Sequence, residues 1–181
     1  VDSTMINTHY LSNQVEEKIA KYSSTKMNIL LSYEEVLLGT AGTLLSNISF
    51  FNDSTGILIH ADNITNTNLN ELLRAHYSRS KDCLLTMLTF SSNSPSSCGI
   101  VEIDEMGIVK DFHEKVDSPP GQRANGAIYV FENDFLNWLK NNKPDAVDFS
   151  IDVLPSLMGK IQTWHTSMPY IDIGTPETLR S

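Results

Sequence analysis

The 181-residue sequence is short of cysteine, of basic side chains and of long apolar runs, and each shortage removes a class of protein. Cys83 and Cys98 are its only cysteines, too few for a disulfide framework. Cys83 stands inside an apolar run, where a thiol reads as a small buried hydrophobe. Lysine and arginine total 13 against 22 acids, for a net charge of −9. A nucleic-acid partner needs a basic face to neutralise phosphates, so none is expected. No apolar stretch reaches membrane-spanning length and no signal-peptide pattern opens the chain, so no membrane partner and a cytoplasmic setting are expected. The five histidines, His9, His60, His76, His113 and His165, show no metal-ligand spacing. Neither a G-x-x-x-x-G-K-[ST] loop nor a G-x-S-x-G elbow occurs, which speaks against P-loop and α/β-hydrolase chemistry. The sequons at Asn47, Asn52 and Asn63 read as chance matches in such a chain.

What remains is ordinary globular material, 40% apolar and 19% charged, with enough length for one domain over residues 1–181. Strand and helix patterns alternate. Thr4–Asn7 reads as a strand end, and Leu11, Val15, Ile19 and Tyr22 recur at helical spacing. Met27–Leu31 has the continuous apolar character of a strand buried on both faces. A short helix is expected over Thr43–Ile48, then strands over Gly56–Ala61 and Cys83–Phe90. Between these two strands Leu69, Leu72, Leu73 and His76 mark one helix face. This order predicts an α/β fold with a mixed, largely parallel sheet and helices on both faces. Later, Gly99–Asp104 and Ile108–Phe112 flank Gly107 as a hairpin. Ala127–Phe131 reads as a strand and Phe135–Leu139 as the start of a helix. Asp148 or Ser150 could cap another around Val153. Ile161–Trp164 and Tyr170–Ile173 are late strands, and Thr175-Pro176-Glu177 is a helix start with threonine as N-cap. Trp138 and Trp164 read as packing aromatics.

In open α/β sheets ligands gather at the carboxyl ends of strands, and several unusual segments fall there. Leu38-Gly39-Thr40-Ala41-Gly42 lets backbone approach a flat ligand closely, or simply makes a tight turn into a helix. Asp62-Asn63 follows a strand directly, and Asp172 precedes Gly174. Together the two aspartates could hold Mg²⁺, a hard cation that takes one or two carboxylates beside substrate phosphates. Separately each could be a turn aspartate. Glu114-Lys115 offers a hydrogen-bond acceptor and a compact cation for a phosphate, or an exposed pair of little consequence. Asn125-Gly126 is a turn or a ligand-facing amide.

Taken in order, LGTAG (38–42), IHADN (59–63), CGIVEID (98–104), FHEK (112–115), NGAIYVF (125–131), DFSIDVLP (148–155) and YIDIGTPE (170–177) resemble the sugar-nucleotide pyrophosphorylases, or NDP-sugar nucleotidyltransferases. Mannose- or heptose-1-phosphate guanylyltransferase-like members are the nearest in flavour, and glucose-1-phosphate thymidylyltransferases share much of the pattern. The resemblance implies a Rossmann-like α/β/α fold that joins a sugar 1-phosphate to an NTP with loss of pyrophosphate. It implies that Leu38–Gly42 face the nucleoside, that Asp62 and Asp172 bind Mg²⁺, and that Gly99, Glu114, Asn125 and Gly126 line the sugar pocket with Asn63 beside it. Lys115 would neutralise the sugar phosphate and complete a catalytic set with the two aspartates.

One part of the family pattern is missing: a first strand, a G-x-G-T-R-L-type loop and a lysine-proline motif do not precede Val1. The chain therefore reads as a domain incomplete at its N-terminus, and a parallel sheet without that strand is expected to show a gap or an unpaired edge. Self-association into a homo-oligomer would cover such an edge. Two other classes compete with the enzyme: a catalytically dead module that binds a nucleotide or sugar phosphate, and a glycosyltransferase. The second needs a D-x-D metal site, whereas Asp62-Asn63-Ile64 offers one acid.

Overall fold

A computed structural model describes residues 1–21, 27–51 and 54–180. Tyr22 and Asn52 lie outside the described residues. The first unit is a strand–helix–strand crossover. Strand β1 (Ser3–Thr8) pairs in parallel with β2 (Asn28–Tyr33), and α1 (Ser12–Ala20) joins them. Val15 and Ile19 recur one turn apart and are the half-covered positions of α1. The expectation of a strand buried on both faces over Met27–Leu31 fails. Met27, Leu30 and Leu31 are all more than a third exposed, because β1 and β2 form a two-stranded sheet of their own. Among the described residues β1 and β2 each have a ladder partner on one edge only.

The main sheet has the order β7-β6-β8-β5-β9, with β3 on the β6 side of β8. Its strands are β3 (Gly56–Ile59), β5 (Leu85–Ser91), β6 (Gly99–Ile103), β7 (Val109–Glu114), β8 (Arg123–Phe131) and β9 (Ile161–His165). β5 and β9 are parallel, and β3, β5 and β6 all run antiparallel to β8. Four strands therefore share one direction, as the strand–helix alternation implies. The ladders are mostly antiparallel nonetheless, because β8 and the hairpin strand β7 run the other way. A small second ladder joins β4 (Asn63–Thr65) to β10 (Tyr170–Asp172).

Helices cover both faces, as expected. On one face α2 (Gly39–Ser46), α4 (Asn133–Asn142) and a π-helical turn, Phe149–Val153, pack on Leu85, Met87, Tyr129 and Phe131. On the other, α3 (Leu69–Tyr77) packs Leu72 against Leu88, Ile128 and Val130. Burying each large side chain contributes about 1.5–3 kcal/mol, so this two-layer core is what holds the loops at the strand ends. Asp148 caps the π-helical turn by accepting from the Ile151 amide at 2.9 Å. Thr175 caps α5 (Pro176–Leu179) by accepting from the Thr178 amide at 3.2 Å. His76 is fully buried beside Thr86, and burial, with the nearby Arg79 charge, lowers its pKa to about 4.

Candidate active site

The central strand β8 is shared unequally along one edge. β3 pairs with residues 128–131 of it, while β6 meets it at Ala124. Asn125, Gly126 and Ala127 sit where the two neighbours part, so this edge of β8 has no ladder partner there among the described residues. Ligands gather where sheet neighbours diverge at a topological switch point, which makes this the candidate cleft. Ala127 holds φ at 47° and Lys115 at 49°, the left-handed region that costs an ordinary residue about 1 kcal/mol or more. Local strain of this kind concentrates at sites where geometry is set for a ligand.

One wall of the cleft is acidic. Asp62 follows β3 and Asp172 ends β10, 110 positions apart in the chain. The β4–β10 ladder sets Asp172 opposite Asn63, and the Ile173 amide donates to the Asp62 carbonyl at 2.8 Å. Both carboxylates then bend toward Gly174. A β-carbon added at that glycine would stand 2.8 Å from Asp62 Oδ2 and 2.9 Å from Asp172 Oδ1. The two carboxylates thus converge beside Gly174, an approach that a β-carbon there would crowd. The Gly174 amide donates to Asp172 Oδ1 at 2.7 Å and fixes that carboxylate.

Tyr170 braces this wall to the central strand. Its hydroxyl donates to the Gly126 carbonyl, which also accepts from Asn63 Nδ2 at 3.3 Å. Its ring stacks on Phe90 at 4.4 Å. Burial raises the Tyr170 pKa, and the neighbouring Tyr129, Asp172 and Asp62 raise it further, so the phenol stays a donor.

The floor of the cleft is a row across the sheet. Glu114 on β7 pairs with Gly99 on β6. Ile100 opposite Ala124 puts Gly99 beside Asn125 on β8. Asn125 in turn pairs with Thr89 on β5. Glu114 needs its neighbour to be glycine: a β-carbon at position 99 would meet Glu114 Oε2 at 2.6 Å. The half-buried Glu114 carboxyl titrates above its usual range through burial, opposed by Lys115 and reinforced by Asp148. Asn125 is oriented at both ends, its Nδ2 donating to Tyr129 Oη at 2.7 Å and its Oδ1 accepting from the Ala127 amide at 3.0 Å. The Tyr129 phenol is wholly buried and pushed upward in pKa by that burial. Lys115 is mostly exposed, with Nζ 3.8 Å from Glu114 Oε1. It makes no ion pair with Asp62 or Asp172 among the described residues, so it belongs to the Glu114 end of the row.

Leu38–Gly42 differ in placement from the sequence expectation. The helix begins at Gly39 rather than Thr43, with Leu38 as its N-cap, so the motif is the first turn of α2. Its glycines have a packing reason. Gly39 has φ of 75°, and a β-carbon there would lie 2.5 Å from the Val147 carbonyl oxygen. The Ala41 amide donates to that oxygen at 2.9 Å, and Thr40 Oγ1 accepts from the Phe149 amide at 2.8 Å. The turn thus docks LGTAG onto DFSIDV. The buried Glu34 holds it from the other side, accepting from the Leu38 amide at 3.1 Å and from Thr43 Oγ1 at 2.5 Å.

The fold sets Asp62 near Asp172 beside Gly174 and places Glu114, Gly99 and Asn125 along one row with Lys115 at its end. Sequence reasoning misses β4, a three-residue strand whose pairing with β10 creates the acidic wall. It also misses Tyr129, Tyr170 and Glu34; the last is legible only as an acid shortly before LGTAG. Glu102, Asp111 and His113 form a second cluster, with ligand atoms within 4.8 Å of one another on the exposed β6–β7 hairpin.

The model of the family described as nucleotidyl transferase matches residues 1–181. A mannose-1-phosphate guanylyltransferase of Mycobacterium tuberculosis is 26% identical over 98% of this chain and 49% of its own length. A glucose-1-phosphate adenylyltransferase of Clostridium botulinum is 27% identical over 78% of this chain and 39% of its own length. The chain thus spans half or less of these curated relatives. Among solved structures, a putative glucose-1-phosphate thymidylyltransferase from Bacillus anthracis superposes with a TM-score of 0.83 at 19% identity, covering 97% of this chain and 72% of that one. HddC from Yersinia pseudotuberculosis gives 0.79 at 20% identity, covering 99% and 76%. These structures share the fold, and the sequence match extends over the whole chain: it belongs to the nucleotidyl transferase family.

Proposed function

We propose that the cleft belongs to an enzyme that joins a sugar 1-phosphate to a nucleoside triphosphate, releasing pyrophosphate and forming a nucleotide sugar. The observation that carries this reading is the meeting of Asp62 and Asp172 around Gly174. Two carboxylates converging on one point from distant parts of the chain suit a divalent cation such as Mg²⁺, which takes oxygen ligands at about 2.0–2.1 Å. When bound, that ion would neutralise charge on the transferring phosphoryl group.

The chain's own residues then have distinct tasks. Glu114 and Asn125 accept from and donate to sugar hydroxyls from one row of the sheet. Gly99 and Gly126 let the sugar approach the backbone. Lys115, at the end of that row, offsets the negative charge of the sugar phosphate. The first turn of α2, Leu38–Gly42, presents backbone to the nucleoside, with Asn63 between the two halves. Such a reaction needs an in-line geometry and fixed charges more than covalent help from the protein. The mannose-1-phosphate guanylyltransferase and glucose-1-phosphate adenylyltransferase relatives carry this activity in their names. A relative structure contains GMP-PN, which supports a nucleotide ligand on this fold.

Isothermal titration of the chain with a panel of nucleotide sugars, with and without Mg²⁺, tests the reading. One of them should bind in a Mg²⁺-dependent manner, and Asp172→Asn should abolish that dependence. Equal Mg²⁺ dependence in Asp172→Asn would remove the metal role.

A further inference from the structure

The row that carries Glu114, Gly99 and Asn125 does not stop at Asn125. It continues through Thr89 on β5 to His165 on β9, which pair directly with each other. Arg123 lies two residues from Asn125 on β8 and so on the same sheet face, about 7 Å along the strand. It pairs with Ser91 on β5. The side chains confirm the convergence. Arg123 Nη1 donates to Thr89 Oγ1 at 3.2 Å, His165 Nδ1 lies 3.3 Å from the same hydroxyl, and His165 Nε2 lies 3.4 Å from Ser91 Oγ.

Two features of this cluster point to an anion. Arg123 is half-buried and has no carboxylate within 4.0 Å among the described residues, although the chain carries a net charge of −9. Arg79, also half-buried, takes Glu132 at 3.0 Å. Beside Arg123 stands His165, whose protonated form is disfavoured first by burial and then by the guanidinium. The guanidinium, the imidazole and the exposed Ser91 hydroxyl come from three strands with no acid among them, a donor set suited to an oxyanion. The fully buried Thr89 hydroxyl, also bonded to the Trp164 carbonyl at 3.4 Å, braces the first two from beneath.

We propose that Arg123, His165 and Ser91, positioned by the buried Thr89, form an oxyanion subsite that extends the sugar pocket, so that the accepted sugar 1-phosphate carries a second anionic group at its far end. This rests on the sugar-pocket reading of Glu114 and Asn125. The second group is a carboxylate or a phosphate; both present the oxygens that a guanidinium fork matches.

Calorimetric titration of the full chain with glucose 1-phosphate, glucuronic acid 1-phosphate and glucose 1,6-bisphosphate tests it. At least one of the two probes with a second anionic group should bind about tenfold or more tightly than glucose 1-phosphate, and whichever gains more identifies carboxylate or phosphate. Arg123→Gln should collapse that advantage, and Arg123→Lys, which keeps charge but loses the fork, should retain part of it. Equal affinities in the unaltered chain, or an advantage that survives in Arg123→Gln, would overturn the proposal. If no sugar phosphate binds, the pocket reading fails, and inorganic phosphate then decides the subsite alone. A shift of the His165 ring resonances on phosphate titration, lost in Arg123→Gln, keeps it; no shift in the unaltered chain removes it.

Discussion

Replacing Gly174 with alanine adds one methyl group between Asp62 and Asp172 and changes nothing else in the chemistry. The new carbon would stand 2.8 and 2.9 Å from the two carboxylate oxygens, against an ordinary contact of 3.4 Å or more. Each carboxylate must therefore retreat by about half an ångström, or one must swing away. That displacement matches the tolerance within which a metal or catalytic constellation has to be held, about 0.5 Å. Gly174 lies at an exposed position where φ is not in the left-handed region, so alanine meets no backbone strain. Its effect on folding should stay within about 1 kcal/mol, partly offset by the lower entropy of the unfolded chain. The effect on the ion should be larger: losing one carboxylate from a two-carboxylate site costs about tenfold or more in affinity, or about 1.4 kcal/mol per factor of ten. Mn²⁺ titration followed by electron paramagnetic resonance, with a thermal melt of the same samples, separates the two terms. Unchanged Mn²⁺ affinity in Gly174→Ala, with the fold intact, would refute the placement of a cation between Asp62 and Asp172.

Gly39→Ala should destabilise the fold by about 2 kcal/mol or more in urea unfolding, since it combines a φ of 75° with a contact of 2.5 Å to the Val147 carbonyl; a loss under about 0.5 kcal/mol would show that LGTAG is not docked on Val147. Tyr129→Phe removes the hydroxyl that fixes Asn125. It should weaken binding of glucose 1-phosphate several-fold while costing about 1 kcal/mol of stability, and unchanged affinity would remove Tyr129 from a positioning role. His76 gives a pH signature. Its folded pKa of about 4 lies below the ordinary histidine value of about 6.5, so the unfolded chain binds the proton first as pH falls. Stability from this group is full above about 6.5, declines as pH falls through the window between the two values, and is lost by pH 4, up to about 3 kcal/mol in all. In His76→Gln the slope of unfolding free energy between pH 6.5 and 4 should flatten, and an unaltered slope would exclude His76 as its source.

The sequence by itself determined the elements that packing could not overrule. β5, buried over residues 85–89, reads as a strand because its apolar run has no other way to satisfy both faces and its backbone. The spacing of Leu69, Leu72, Leu73 and His76 gives α3 because that period has one covered face. The paired motifs name Asp62, Asp172, Glu114 and Lys115 because strand ends followed by acids or glycine are where a sheet meets a ligand. What only the tertiary structure decided is distance and exposure. The apolar run Met27–Leu31 looks buried in one dimension, yet it lies on a two-stranded sheet whose outer surface is open. Asp62 and Asp172 meet because a three-residue strand, too short to leave a periodic signal, pairs across 110 positions of chain. Thr89 and His165 join Asn125 in one row, with Arg123 beside Ser91 in the next row on the same face, because ladder register aligns separate sequence positions, and register is set by which faces the core buries rather than by any one segment's pattern.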